Sequence, residues 1–271
     1  MSRRFWLVAD DYGLSPAVSE GIRQLIAAGR LSGTGCMTLF PEWRDEAARL
    51  KNCTGVDHAD IGQHLTLTDF PGLTGFSLDG SGRMPALKDL ILSIQRSRRH
   101  DEAIMAELDA QLAAFTSAWG APPAYLDGHQ HVHFLRPVRH WLATRSDVLS
   151  REGRLPWLRA APVLGAAQGA VLKAKVAFVA LLAWRFDKEM RLAGFPLKGP
   201  LAGFYAWQVP ERFQPSLDRW IDTLADGTLL MCHPGEVDDT LRARDGLVEA
   251  RAVELKALLE REPICLRAGI S

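Results

Sequence analysis

The chain reads as an α/β protein with a mostly parallel, barrel-like sheet and helices outside it. Two observations predict this. Apolar runs of strand length alternate with helical runs along all 271 residues, the pattern of repeated β-α-β units, and about seven such units fit. Four short polar clusters also stand where apolar runs end, and chemistry at the carboxyl ends of strands is the habit of (β/α) barrels. A doubly wound open sheet is the alternative, but no Gly-x-Gly-x-x-Gly follows the first strand. With no internal repeat, low-complexity tract or linker, residues 1–271 read as one domain.

Residues 5–10 form the first strand-like run, and a helix follows over 16–29. Ser15 can cap it, Pro16 suits its first turn, and Gly29 suits its end. Val18, Ile22, Leu25 and Ile26 share one face at helical spacing. The next elements are a strand over 33–39, a helix over 41–50 and a strand over 61–66. Residues 69–85 are Gly-rich with repeated turn signals, a long loop of the kind that often serves function. A long helix spans 101–119, with Ile104, Leu108, Leu112 and Phe115 as its stripe, and Pro122-Pro123 breaks it. A strand over 124–128, a helix starting over 137–144 and a strand over 155–160 come next. Residues 160–184 are rich in Ala, Leu and Val, and residues 194–203 are punctuated by Gly and Pro. Helices over 211–225 and 245–260 flank a strand over 228–233, and residues 264–266 close the chain.

Lysine plus arginine number 32 against 32 acidic residues, so the formal net charge is zero. That argues against a nucleic-acid partner, which usually leaves a basic excess. The run Arg96, Arg98, Arg99 and His100 reads as a solvated helix end. Cys36, Cys53, Cys232 and Cys265 lack paired spacing and read as reduced thiols, as in a cytoplasmic protein. The apolar stretch after Arg3-Arg4 ends at Asp10-Asp11, short of the about 7–15 residues of a secretory signal. Residues 160–184 carry Lys173 and Lys175, which argues against a transmembrane span of about 20 apolar residues. A buried or flap helix fits them better, with peripheral membrane contact as a further option.

The clusters carry the chemistry. Asp10-Asp11 ends the first strand; one carboxylate could bind a metal while the other accepts a proton, or one could cap the following helix. His64 sits in an apolar strand, as a ligand or as a core histidine. His129, His131 and His133 follow Asp127; they share a face if the segment is extended and diverge if it turns. One or two of them could bind metal while the others orient substrate. His233 precedes Pro234, which fixes the exit from its strand. Its unperturbed pKa of about 6.5 suits a general acid. One Asp and two His with open positions make a hydrolytic metal site. An adjacent carboxylate and an opposing histidine then complete an apparatus for amide hydrolysis. The same ligand set also describes non-haem Fe(II) oxygenases, in which Asp10 and His233 have no obvious role.

Four motifs appear in one order: Ala9-Asp10-Asp11-Tyr12-Gly13-Leu14-Ser15, Gly62-Gln63-His64-Leu65, Asp127-Gly128-His129-Gln130-His131-Val132-His133 and Cys232-His233-Pro234-Gly235. In this combination the chain resembles the YdjC-like carbohydrate deacetylases, which include chitooligosaccharide deacetylases and hopanoid-biosynthesis-associated members. The resemblance runs essentially end to end. It implies a seven-stranded (β/α) barrel of distorted TIM type and one divalent metal ion, magnesium or zinc. Matched position by position, it implies Asp11, His64 and His129 as metal ligands, Asp10 as base and His233 as acid. It also implies removal of an N-acetyl group from an amino-sugar or glycolipid substrate. Arg159 aligns loosely with a family arginine and could contact substrate, a surface or ion-pair role being the alternative. Tyr12, Gly128 and Gln63 depart from the residues common in the family, and none of them is a ligand. A family relative that binds sugar or lipid without catalysis is a further alternative. Exposed apolar edges could also support a homodimer.

Overall fold

The computed structural model describes residues 3–267, so the outermost residues of the expected 1–271 domain lie outside the described residues. The chain runs β1 (Trp6–Tyr12), α1 (Pro16–Ala27), β2 (Gly33–Cys36), α2 (Trp43–Lys51), β3 (Asp60–Leu65), α3 (Leu87–Arg96) and α4 (Asp101–Trp119). It continues through β4 (Tyr125–Gly128), α5 (Arg136–Thr144), α6 (Ser146–Leu149), β5 (Trp157–Arg159), α7 (Ala170–Leu182) and α8 (Phe186–Leu192). β6 (Leu197–Lys198), β7 (Leu201–Ala202), α9 (Phe213–Thr223), β8 (Leu229–Cys232), α10 (Asp239–Arg244) and α11 (Val248–Glu260) complete it.

All eight strands pair in parallel, in the order β6-β5-β4-β3-β2-β1-β8-β7. The two outermost strands, β6 and β7, are separated only by Gly199-Pro200, so the sheet's two edges meet. A parallel bridge between Pro162, just past β5, and Leu201 of β7 draws them together into a nearly closed barrel. The barrel class is as the sequence predicts, with eight strands where seven are expected. The difference lies in residues 194–203: β6 and β7 have two residues each, too few to show any periodicity. Ser15 caps α1 as expected, its Oγ accepting the Val18 N–H at 3.2 Å.

Strand alternation sorts side chains to opposite faces of the barrel wall. Leu7, Ala9, Ile61, Leu126, Leu158 and Leu230 join the main core between sheet and helices. Trp6, Val8, Tyr125, Trp157, Leu229 and Met231 form a second cluster, on the alternate positions. Near the strand starts, Asp60 Oδ2 accepts the Lys198 ammonium at 2.7 Å and the Trp157 indole N–H at 2.8 Å. Lys198 lies 3.3 Å from the centroid of the Trp6 ring, and Tyr125 stacks on Trp157 at 4.1 Å. Continuing the same alternation to the carboxyl ends brings up Asp10 after Val8, His64 two residues past Gly62, Asp127 after Tyr125 and Arg159 after Trp157. Packed aromatics thus close the barrel below a charged upper layer.

The loop between β3 and α3 is pinned to α4: Glu107 accepts the backbone N–H groups of Leu73 and Thr74 at 3.0 and 2.8 Å. This fixes the long Gly-rich segment that carries Asp69 and Phe70 toward the top of the barrel.

Candidate active site

Adjacent residues of a flat strand face opposite ways, yet Asp10 and Asp11 meet in one site. β1 shifts register against β2 between Ala9 and Tyr12, and Asp11 takes a left-handed backbone with φ 68°. Aspartate tolerates that region better than most residues. The twist turns Asp11 toward the site that Asp10 reaches by ordinary alternation. Both carboxylates are buried.

Two histidines then converge on Asp11 Oδ1. His64 Nε2, from β3, lies 3.3 Å away, and His129 Nδ1, just past β4, lies 3.1 Å away. Ligand atoms of Asp11, His64 and His129 all lie within 4.8 Å of one another. On the far side of the His64 ring, Nδ1 lies 2.6 Å from Asp127 Oδ1. When Nδ1–H donates to that carboxylate, Nε2 of the neutral ring carries a lone pair aimed at a second carboxylate. Two acceptors facing each other need a proton or a metal ion between them. The ring's titration reflects the same demand: burial alone would lower the His64 pKa, but Asp127 and Asp10 reverse this and push it up to about 10. The donor set fits a divalent metal, whose histidine ligands are commonly oriented by a carboxylate in this way. Gly35 leaves room for the pair, since a Cβ there would sit 3.2 Å from both His64 and Asp127.

Two buried arginines frame the carboxylates. Arg159, fully buried on β5, donates through Nη1 to Asp10 Oδ2 at 2.8 Å and through Nη2 to Asp10 Oδ1, and it pairs with Asp127 Oδ2. Burial would raise the Asp10 pKa; Arg159, with help from His64 and His233, holds it down at about 2. Arg251, from α11, donates to Asp11 Oδ2 at 2.6 Å and is itself held by Asp245. Burial is likewise overcome at Asp11, where Arg251 and His129 hold the carboxyl well below the usual range. Three carboxylates, Asp10, Asp11 and Asp127, thus share two guanidiniums and the His64 ring.

The layer opens into a cavity of about 940 Å³ lined by Asp10, Asp11, His64, His129, His131 and His233 among others. His233 follows β8, with Nε2 3.8 Å from Asp10 Oδ2 and its ring edge-on to Trp207 at 5.1 Å. Burial keeps its pKa below the ordinary histidine value. Glu254 of α11 accepts the His233 backbone N–H and the Tyr205 hydroxyl. Burial pushes the Glu254 carboxyl up to about 7.

The three alternating histidines diverge, because Gln130 and His131 take left-handed φ values of 51° and 62° and turn the segment. Only His129 reaches Asp11. His131 lines the cavity beside Phe134 and Phe204, and burial pushes its pKa down to about 3. His133 is buried among Phe134 and Phe186 and does not line the cavity. Arg159 lies beneath the carboxylates rather than on the cavity wall, which is the ion-pair alternative. Asp127 stood in a sequence motif without an assigned role, and the structure gives it two partners, His64 and Arg159. Arg251 and Glu254 escaped notice entirely. They lie three apart on α11, and a buried Arg and Glu at i, i+3 look like an ordinary solvated pair in sequence.

Fold and site together define a parallel (β/α) barrel with an Asp/His pocket at the carboxyl ends of its strands. The chain belongs to the YdjC-like protein family, whose model matches residues 4–263. It is 27% identical over 267 residues to a carbohydrate deacetylase of Halalkalibacterium halodurans, covering 92% of each chain. It is 28% identical over 253 residues to a chitooligosaccharide deacetylase of Yersinia enterocolitica, covering 92% of this chain and 88% of that one. A crystal structure of an Enterococcus faecalis V583 protein, proposed to cleave cellobiose phosphate, shares the fold. It aligns with TM-score 0.65 and 20% identity over 96% of this chain and 92% of that one.

Proposed function

We propose that this chain is a divalent-metal-dependent deacetylase that hydrolyses the N-acetyl group of an amino sugar or glycoconjugate. The observation that carries this is the meeting of Asp11, His64 and His129 on one point, with Asp10 and His233 beside it in an open cavity. The deacetylase names of relatives that align along nearly the whole chain support the reaction class. Asp11, His64 and His129 hold the metal, magnesium or zinc, which when bound supplies Lewis acidity and lowers the pKa of water. Asp10 accepts the proton of the attacking water at a carboxylate that Arg159 keeps ionised and fixed in place. His233 Nε2, the atom nearest Asp10, gives a proton to the departing nitrogen, replenished by the proton that Asp10 took from water. The amide C–N bond breaks, the hydroxyl joins the acyl carbon, and acetate and a free amine leave. His131, on the cavity wall, faces the bound sugar. The buried thiols Cys36 and Cys232 are consistent with a reducing, cytoplasmic setting.

The test is acetate release from a panel of N-acetylated sugars, chitooligosaccharides and sugar-bearing lipids, with and without divalent ions. Asp11→Asn should lose bound metal, and Asp10→Asn should keep it while losing turnover. Wild-type acetate release from both variants would overturn the mechanism.

A further inference from the structure

We propose that α7, with the turn into α8, is a docking surface for an anionic lipid bilayer, and that it seats the mouth of the cavity against that bilayer. The importance of this placement rests on the deacetylase reading; the docking itself does not.

α7 is apolar nearly all round, Lys173 and Lys175 being its only charges, yet of its thirteen residues only Val176 is buried. A helix of that composition belongs in a core or against hydrocarbon. Six of the eight large exposed hydrophobics among the described residues fall between 164 and 192: Leu164, Val171, Phe178, Leu181, Trp184 and Leu192. Val171, Leu181, Trp184 and Leu192 are 75%, 69%, 67% and 79% exposed. Scattered exposed side chains of this kind are normal, but a concentration on one helix and its exit marks an interaction surface.

Charge selects the occupant. Lys173, Lys175, Arg185, Lys188 and Arg191 are exposed in the same stretch. Its two acidic residues both have partners: Asp187 accepts the Ala161 N–H at 2.9 Å, and the exposed Glu189 pairs with Arg139 at 2.8 Å. A second copy packed through a twofold interface would set this basic patch against itself. Anionic headgroups complement it, and lysine stems can lie along apolar surface while their ammonium groups reach the headgroups.

Geometry fixes the mode of contact. At about 1.5 Å per residue, thirteen residues extend roughly 20 Å, short of a bilayer core of about 30 Å. No helix among the described residues is long and apolar enough to cross a membrane. α7 therefore lies in the plane of the interface. Arg139 holds it in place, donating to the carbonyls of Leu182 and Trp184. Arg185 stacks over Trp184 at 5.0 Å, an aromatic–cation pair suited to the headgroup level. The same helix supplies Val171, Leu172, Lys175, Phe178, Val179 and Leu182 to the cavity wall, while Lys173, Leu181 and Trp184 lie off it, so a bilayer seated on those three meets the cavity mouth.

Co-sedimentation of the full chain with phosphatidylcholine vesicles, and with vesicles that also contain phosphatidylglycerol, tests this. The wild type should pellet with the mixed vesicles, less with phosphatidylcholine alone, and less as salt rises. Leu181→Ser with Trp184→Ser should weaken partitioning roughly tenfold or more. Lys173→Glu with Lys188→Glu should weaken binding to the anionic vesicles by about fivefold or more per residue. Both double variants should release acetate from a soluble N-acetylated sugar at the wild-type rate. A wild-type chain that stays in the supernatant with both vesicle types overturns the inference. So does a wild-type dimer that Leu181→Ser with Trp184→Ser converts to monomer. Vesicle binding with no acetate release from any substrate would end the deacetylase reading and leave the docking surface standing.

Discussion

His64 stands between two carboxylates: Nδ1 is 2.6 Å from Asp127 Oδ1, and Nε2 is 3.3 Å from Asp11 Oδ1. The first contact fixes which nitrogen carries the proton, and so which nitrogen is left to ligate. Asp127→Asn can present an amide N–H to Nδ1 and move the ring proton to Nε2, where it blocks ligation. Divalent-metal affinity, measured by calorimetric titration, should fall by about 10–100-fold. Unchanged affinity would mean that Asp127 does not orient the ligand.

Arg159 holds Asp10 and Asp127 at once with its planar fork. Arg159→Met leaves two buried carboxylates without their cation and should cost about 3–5 kcal/mol in urea unfolding. Arg159→Lys keeps the charge but not the bidentate geometry, so it should cost less stability while still lowering turnover. Equal stability of all three proteins would show that the pairing contributes nothing.

Glu254 should leave a mark on the pH dependence of stability. Burial raises its carboxyl from 4.5 to about 7 in the folded chain. Folding therefore favours the protonated form. Its contribution is fully present below about 4.5 and is lost as pH rises through about 7. Glu254→Gln cannot ionise. Between pH 4.5 and 8 the variant should gain of order 3 kcal/mol relative to the wild type. Chemical denaturation at the two ends of that range measures it, and a pH-independent difference would contradict the buried, elevated carboxyl.

His233 touches Asp10 but lies outside the Asp11, His64 and His129 set. His233→Asn should lower kcat by about 10²–10⁴-fold, the usual worth of a positioned acid or base. Metal affinity should be unchanged. A parallel loss of metal would instead make His233 a ligand.

Much of this protein was legible in the chain itself. Alternation gave the barrel class, because strand and helix periods follow directly from backbone geometry. The long helix at Asp101–Trp119 and the Ser15 cap were readable from local cues alone. Asp10, Asp11, His64, His129 and His233 were legible as polar residues where apolar strands end, and the family resemblance supplied their separate roles.

Tertiary structure decided the rest, since partners distant in sequence leave no local signal. β6 and β7 are defined by their neighbours in the barrel, being too short to announce themselves. Left-handed backbone at Gln130 and His131 separated three histidines that share a period of two, a choice the alternating pattern left open. Arg251 reaches Asp11 across 240 positions, and Arg159 reaches Asp10 across 149. A charge's role depends on what lies within a few ångströms in a low-dielectric interior. The sequence therefore determined which chemical groups stand at the strand ends, and only the closed barrel decided which groups face one another.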